Sequence, residues 1–478
     1  MSTNKPNKEP VFDVAGHKYE LVEELSRGGQ GIVYKTNHQN ILLKGFIHNK
    51  NNEDEREKAE KWEQHIQWLI NQDLNNLQLA RPLILADKRK AYFMKLMDGL
   101  IPLDSLLKSF IDAADNDEHI EDYLNKGGLK KRIRILFQLA RTLNQIHSRG
   151  MLYGDLSLNN IFVSEDIDQA ETWLIDCDNI SYESYPGVTV YSPDYGAPEL
   201  VRGEAMLSSM TDCWSFAVIA YQLLTHNHPF KGEYVQDSAP DVEEQALRGN
   251  IPWINDSSSR INECFVNLPI QIVEESCLPE LFKRCFEDGR VDHTKRPSIA
   301  EWLSALAEVD ESLVQCRACD SHFIYSDKNQ AQCFFCDAIL SSDLVHFEEF
   351  IYQPVLNQNE ANNLMHLLLD DGAELNFDIY STNRKVTLQL GNKQELKRLM
   401  PTFSQDMDFI NDNIAVEYGD EGLLIDILKE NSLHLQRGNK IKLLQKKQRI
   451  QEKFRSEEPF YLHVGDINNM HIVWKFGW

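Results

Sequence analysis

The chain has 478 residues, 42% of them hydrophobic, enough for about two to four domains. Its formal charge of −25, from 49 basic and 74 acidic side chains, argues against nucleic acid or anionic lipid as a partner. Met1–Pro10 is polar and no run of about 18 apolar residues occurs, so the expectation is a soluble, cytoplasmic protein with no membrane span and no secretory leader.

Tyr19–Leu25 reads as a strand that enters a glycine-rich turn, Ser26-Arg27-Gly28-Gly29-Gln30-Gly31, and leaves it through Ile32-Val33-Tyr34-Lys35. Glycines between two strands let a hairpin bring its N–H groups close to phosphates. Ile41-Leu42-Leu43-Lys44 is a short apolar strand ending in a cation that can pair with phosphates. Asn52–Gln72 reads as an amphipathic helix with Trp62, Ile66 and Leu69 on one stripe. Glu63 on that helix is the first choice as ion-pair partner of Lys44, and Glu60, one turn away, stays open. Leu129–His147 reads as a long helix.

The segment Tyr153-Gly154-Asp155-Leu156-Ser157-Leu158-Asn159-Asn160 precedes Asp176-Cys177-Asp178. Asp155, Asn160 and Asp176 form a phosphoryl-transfer constellation. One carboxylate can orient a hydroxyl, while the Asn oxygen and the second carboxylate can hold Mg²⁺ against triphosphate oxygens.

On these motifs the first 310 residues or so resemble a eukaryotic-type (Hanks-type) protein kinase domain. Tyr195-Gly196-Ala197-Pro198-Glu199, the stretch Thr211–Phe216 with Asp212, and Lys295-Arg296-Pro297-Ser298 match later motifs of the same family. The resemblance implies a bilobal fold with ATP in the cleft, Met94 as gatekeeper, and adenine bonded by the backbone from Lys95 to Met97. Val33 and Leu42 would cover the ring, with Phe162 beneath it. Glu199 and Arg296 would form a buried pair, and Asp212 would anchor the catalytic loop. Ser192 stands where Ser/Thr kinases carry a bridging Thr, which favours protein Ser/Thr hydroxyls as acceptors.

The chain departs from the family at several positions. Leu42 replaces the usual Ala. Gly154 replaces the Arg that receives an activation-segment phosphate, and Ser157 replaces a Lys near the γ-phosphate. Asp-Cys-Asp replaces Asp-Phe-Gly, which adds Asp178 as a further candidate Mg²⁺ ligand. These departures resemble the aminoglycoside-phosphotransferase branch, so a small-molecule kinase is the alternative, and a pseudokinase scaffold is a third reading.

Nine cysteines in this length do not make a disulfide framework. Cys316-Arg317-Ala318-Cys319 and Cys333-Phe334-Phe335-Cys336, with 13 residues between the pairs, form a zinc-ribbon pattern whose four thiolates suit a structural Zn²⁺. Acidic residues outnumber basic ones around it, which favours protein over nucleic-acid contacts. From about 346 onward the sequence reads as a mixed α+β domain. Strands are expected at Lys385–Leu390, Leu433–Leu443 (turn at Gly438-Asn439), Phe460–Val464 and His471–Trp478, and helices at Gln358–Asp370 and Lys393–Met400. The basic Lys440–Arg455 reads as a solvated helix face.

The expected architecture is therefore α+β: a tail (1–15), a kinase domain (16–310; N-lobe 16–94, hinge 95–99, C-lobe 100–310), a ribbon (311–345) and a C-terminal domain (346–478). A kinase followed by a ribbon and a further domain resembles the bacterial kinases of the tellurite-resistance-associated phosphorylation triad. That resemblance implies a von Willebrand-type metal-binding protein and a PP2C-type phosphatase as partners, beside protein substrates.

Overall fold

The computed structural model describes residues 10–477 other than 29–30, 50–51, 108–115, 185–189, 266–267, 326–331, 341–343, 356–363, 370, 402–406, 429–432 and 456–457. Gly29, residues 185–189 between Asp178 and Ser192, and residues 326–331 between the two Cys-x-x-Cys pairs lie outside the described residues. The chain divides into two compact units. The first comprises residues 1–127, 135–268 and 280–300; the second comprises 128–134, 269–279 and 301–478.

In the first unit, five strands form an antiparallel sheet in the order Leu21–Arg27, Gly31–Thr36, Ile41–Phe46, Ala91–Lys95, Pro82–Leu85. The register sets Val33 opposite Lys44 and Leu42 opposite Met94. The helix Glu53–Ile70 starts at Asn52, whose side-chain oxygen accepts from the amides of Asp54 (3.0 Å) and Glu55 (3.4 Å). Glu53, Asp54 and Glu55 in its first turn complement the helix dipole. It buries Ala59, Ile66 and Leu69.

The larger lobe is built around Ser209–Thr225, a helix that is apolar nearly all round and almost entirely buried. A reciprocal capping box of Ser208 and Thr211 starts it. Two short antiparallel pairings bring the chemistry together. Met151–Leu152 pairs with Ser181–Tyr182, and Ile161–Ser164 pairs with Thr172–Leu174. The loop 153–160 and the segment 175–180 therefore run between the same strand pairs.

In the second unit, Leu313–Gln315 pairs with His322–Ile324 under the cysteine knuckles. The C-terminal region differs from the mixed α+β expectation: apart from one 3₁₀ turn at Glu452–Phe454, its described elements are strands. Seven of them close a barrel in the order Leu344–Pro354, Glu374–Gln389, Leu364–Leu368, Lys440–Leu444, Leu433–Arg437, Phe460–Val464, His471–Gly477. Lys393–Met400, expected as a helix, lies in the strand Lys393–Pro401 of a four-stranded sheet with Met407–Gly419, Gly422–Ile427 and Gln448–Gln451. The expected helix over 358–370 is, where described, the strand Leu364–Leu368, and the expected helix face over 440–455 is the strands Lys440–Leu444 and Gln448–Gln451. The hairpin at Gly438-Asn439 forms as expected. Trp474 and Phe476 sit in the core that joins barrel and sheet, with Val345, Phe347, Leu396, Ile414 and Leu423.

Arg384 ties this unit together. Its guanidinium donates to Glu311 Oε1 (2.7 Å) and Oε2 (3.1 Å) and to Glu349 Oε2 (3.4 Å), and stacks 5.1 Å from the Trp474 ring. Glu311 and Glu349 are both buried. Arg384→Ala leaves two buried carboxylates without their shared cation, so it should destabilise the second unit by about 3–5 kcal/mol. Scanning calorimetry should show a lower melting midpoint for that transition; an unchanged midpoint would show that the triad contributes nothing net.

Candidate active site and metal centre

Asp212 is 1% exposed. It accepts from the amides of Tyr153 (2.7 Å) and Gly154 (2.9 Å), and its Oδ2 lies 3.0 Å from the His147 ring nitrogen. Gly154 takes φ of +92°, and a Cβ there would lie 3.2–3.4 Å from Leu207, Leu152 and Asn179, so glycine suits the position. The Tyr153 hydroxyl donates to the carbonyl of Ile175, tying the loop to the residue before Asp176.

This grip presents Asp155. Its Oδ1 accepts from Ser192 Oγ (3.0 Å), and its backbone carbonyl accepts from Asn160 Nδ2 (2.8 Å). Burial raises the Asp155 pKa and the Asp176 charge adds to that, partly offset by the hydrogen bonds from Ser192 and Asn160. The amide NH₂ of Asn160 is committed to Asp155, which leaves its oxygen as the ligand atom.

Lys44 reaches the same place from the sheet. Its Nζ bonds Asp176 Oδ1 and lies 3.0 Å from Asp178 Oδ2. Burial would lower its pKa; Asp178 and Asp176 override that and hold the cation well above its ordinary value. Gly31 is needed close by, since a Cβ there would sit 3.2 Å from the Gly45 carbonyl and 3.3 Å from Lys44 Cε. Val33, Leu42 and Met94 cluster with Ile66, Tyr92 and Leu96, and the Leu96 amide donates to Asn40 O (2.8 Å). Phe162 lies on the strand opposite Pro102.

Two sequence expectations are corrected here. Glu63 does not pair with Lys44: its Oε2 accepts from Lys90 Nζ at 2.6 Å. Glu60 is exposed. Asp178 does not present free oxygens to a metal. Its Oδ1 accepts from Tyr92 Oη (2.5 Å), and its Oδ2 accepts from Trp62 Nε1 (3.1 Å) beside Lys44. Sequence reasoning placed Trp62 on a helix stripe and left Tyr92 unassigned; neither neutral donor carries a spacing signal.

In the large lobe Arg296 donates twice to Glu199, at 2.7 Å each, and also to the carbonyls of Gly289 and Met210. Burial would raise the Glu199 pKa, but Arg296 holds the carboxyl below its usual range.

In the second unit the sulfurs of Cys316, Cys319, Cys333 and Cys336 all lie within 4.8 Å of one another. Cys316 and Cys336 are 3.5 Å apart, and Cys319 and Cys333 are 3.8 Å apart. A tetrahedral Zn²⁺ with Zn–S of about 2.3 Å needs sulfurs about 3.8 Å apart, so the set fits. The two knuckles repeat each other. The amides of Ala318 and Phe335 each donate to the sulfur two residues before, at 3.4 Å, and Asp320 and Asp337 each take positive φ. The Cys319 thiol comes down to about 7 against its burial, through hydrogen bonds from Ser321. Cys336, despite the Ala338 amide, is pushed up to about 12 by the neighbouring sulfurs.

The family model described as "Protein kinase domain" matches residues 19–306. The chain belongs to the protein kinase family. Three relatives agree with that membership. Serine/threonine-protein kinase Pkn1 of Myxococcus xanthus is 26% identical over 233 residues, covering 47% of this chain and 31% of that protein. Serine/threonine-protein kinase PknD of Chlamydia abortus is 31% identical over 185 residues (34% of this chain, 19% of that protein). Human protein kinase C delta type is 32% identical over 165 residues (32% and 22%). The chain thus matches about a third or less of the length of these relatives. Among the described residues no helix is long and apolar enough to cross a membrane.

Within the kinase unit the structure brings together Lys44, Asp155, Asn160, Asp176 and Ser192, and leaves Glu63 out. The Glu199–Arg296 pair stabilises fully above the unfolded carboxyl value near 4.5, and that contribution is lost as pH falls through the lower folded value. Glu199→Gln should therefore cost about 3–5 kcal/mol at pH 7, because Arg296 is left buried and unpaired. The gap to wild type should shrink as the pH drops well below about 4.5; urea midpoints at pH 7 and in that acid range check this.

Proposed function

We propose that this chain transfers the γ-phosphate of ATP to Ser or Thr hydroxyls of protein substrates. The carrying observation is Asp155, whose carboxylate accepts from Ser192 and, at 3.4 Å, from Asn160, on a loop whose amides Asp212 accepts from. Asp155 orients the acceptor hydroxyl and takes up its proton. Lys44 places the α- and β-phosphates, and the turn of Ser26, Gly28, Gly29 and Gly31 covers them. The backbone of Lys95 and Met97 bonds adenine between Val33, Leu42, Met94 and Phe162. Asn160 and Asp176 would hold Mg²⁺, which when bound draws off charge from the β- and γ-phosphate oxygens. The kinase names of the bacterial relatives support protein substrates.

The four cysteines would hold one structural Zn²⁺. The kinase–ribbon–barrel order supports the resemblance to the tellurite-associated triad kinases, with a von Willebrand-type protein and a PP2C-type phosphatase as partners of the second unit.

Incubation with Mg²⁺, ATP and protein substrate should give phosphoserine or phosphothreonine by mass spectrometry. Label on a metabolite alone, or none, would sink the protein-kinase reading. Asp155→Asn should lower kcat by about 10²–10⁴ and leave nucleotide affinity intact, whereas Asp176→Ala should lose both. Because Asp155 works deprotonated and its pKa is raised, kcat should fall on acidification at a higher pH than an ordinary carboxylate gives.

Gly154 offers no cation to a phosphate, so phosphatase-treated enzyme should start without a lag. A lag that disappears on pre-phosphorylation of the 181–192 stretch would contradict this. Cys333→Ser should lose the zinc found by metal analysis of wild type, while ATP binding survives.

A further inference from the structure

Lys44 is held by two carboxylates, Asp176 and Asp178, and by neither helix glutamate. Asp178 and Asp176 flank Cys177 in one turn, yet their surroundings differ: the Asp178 side chain is 12% exposed and that of Asp176 is 43%. The buried one meets three donors. Tyr92 Oη supplies Oδ1; Trp62 Nε1 and Lys44 Nζ supply Oδ2. A metal ion on Asp178 would have to share an oxygen that already accepts from one of them.

We propose that Asp178 is the positioning residue for Lys44, and that the helix Glu53–Ile70 acts on Lys44 through the Trp62 indole instead of through a carboxylate of its own. Trp62 is fixed for this by stacking on Phe46 (5.0 Å) and Tyr92 (5.8 Å). The helix is docked to the activation segment at further points. Trp68 meets the Tyr182 ring edge-on at 5.2 Å, and the Tyr182 hydroxyl donates to Gln72 Oε1 (3.1 Å) just past the helix end. Withdrawal of the helix would remove one of the two neutral donors on Asp178 and free its carboxylate to swing from Lys44. In this chain Asp176 and Asp178 both meet Lys44: the exposed one is also open to a metal, and the buried one is fixed for the lysine by Tyr92 and Trp62.

The inference rests on the kinase reading only in that Lys44 contacts nucleotide, so its test reads binding. Calorimetric titration of the full chain with MgATP should show Asp178→Asn weakened by about tenfold or more, comparably to Lys44→Met, a factor of ten being ~1.4 kcal/mol. The double variant should show no further loss. The Mg²⁺ dependence of binding should be unchanged in Asp178→Asn and shifted in Asp176→Asn. Trp62→Phe keeps the stacking and removes the N–H, and should show a smaller loss at an unaltered melting midpoint; this holds the test open if Asp178→Asn folds poorly. The ¹⁵N resonance of the Trp62 indole should move in Asp178→Asn.

A shift in Mg²⁺ dependence with Asp178→Asn would make Asp178 a metal ligand and overturn the proposal. So would a Glu63→Gln variant as impaired as Lys44→Met while Asp178→Asn binds like wild type. A wild type that binds MgATP with the expected dependences but labels no protein would overturn the protein-kinase reading and leave this inference standing.

Discussion

The buried Asp212 carboxylate meets three donors, and the loop 153–160 takes its path from it. A buried carboxylate without donors costs several kcal/mol, so the chain must bring donors to it. Two of these are consecutive backbone amides, Tyr153 and Gly154, and the third is the His147 ring at the end of the preceding helix. Meeting both amides at once requires the turn that Gly154 makes at positive φ, where a side chain is strained. The residue that follows that turn is Asp155. Its placement is thus a consequence of satisfying a buried charge, not of contacts made by its own side chain alone.

The metal motif shows how environment separates two identical side chains. Asp176 stands at φ 54° and ψ 49°, strained for a non-glycine residue, and stays partly exposed. Asp178 points into a pocket of aromatic rings that offer N–H and O–H donors. Cys177 between them is fully buried, and its burial together with the two aspartates keeps the thiol protonated. An apolar residue flanked by two carboxylates lets one turn of chain face solvent on one side and Lys44 on the other.

The parts legible in the sequence were those fixed by residue type at short spacing: the closeness of Asp155, Asn160 and Asp176, the Cys-x-x-Cys pairs, and the Gly438-Asn439 hairpin. What was not legible depends on three-dimensional competition. Glu63 has suitable spacing from Lys44, but Lys90 is at hand and takes it. Trp62 reads as packing from its helix stripe, and nothing local shows that its N–H finds Asp178. Lys393–Met400 has apolar residues at 396, 399 and 400, a helical spacing of three and four. Pairing with Met407–Gly419 overrides that preference, and the ladder shifts register between Leu396 and Lys397, which also obscures a strand pattern. Burial then decides in favour of the sheet, since Leu396 is fully enclosed in the core shared with the barrel.

The ribbon illustrates the opposite limit, where too little is buried to specify a fold without help. Its cluster holds six buried residues, Val314, Cys316, Phe323, Cys333, Leu340 and Leu344, and two of these are knuckle cysteines. The module is also bonded to the barrel strands. Gln315 and Gln389 exchange hydrogen bonds at 3.1 and 2.8 Å, and Tyr325 stacks on His346 at 4.2 Å. The four sulfurs lie within metal-binding distance of one another, and a cation held by them would stabilise the module further. Metal binding by the four cysteines would thus add to the docking on the barrel in holding one fold. The Arg384 triad links Glu311, near the end of the helix Ile299–Ser312, to Glu349 and Trp474 within the same unit.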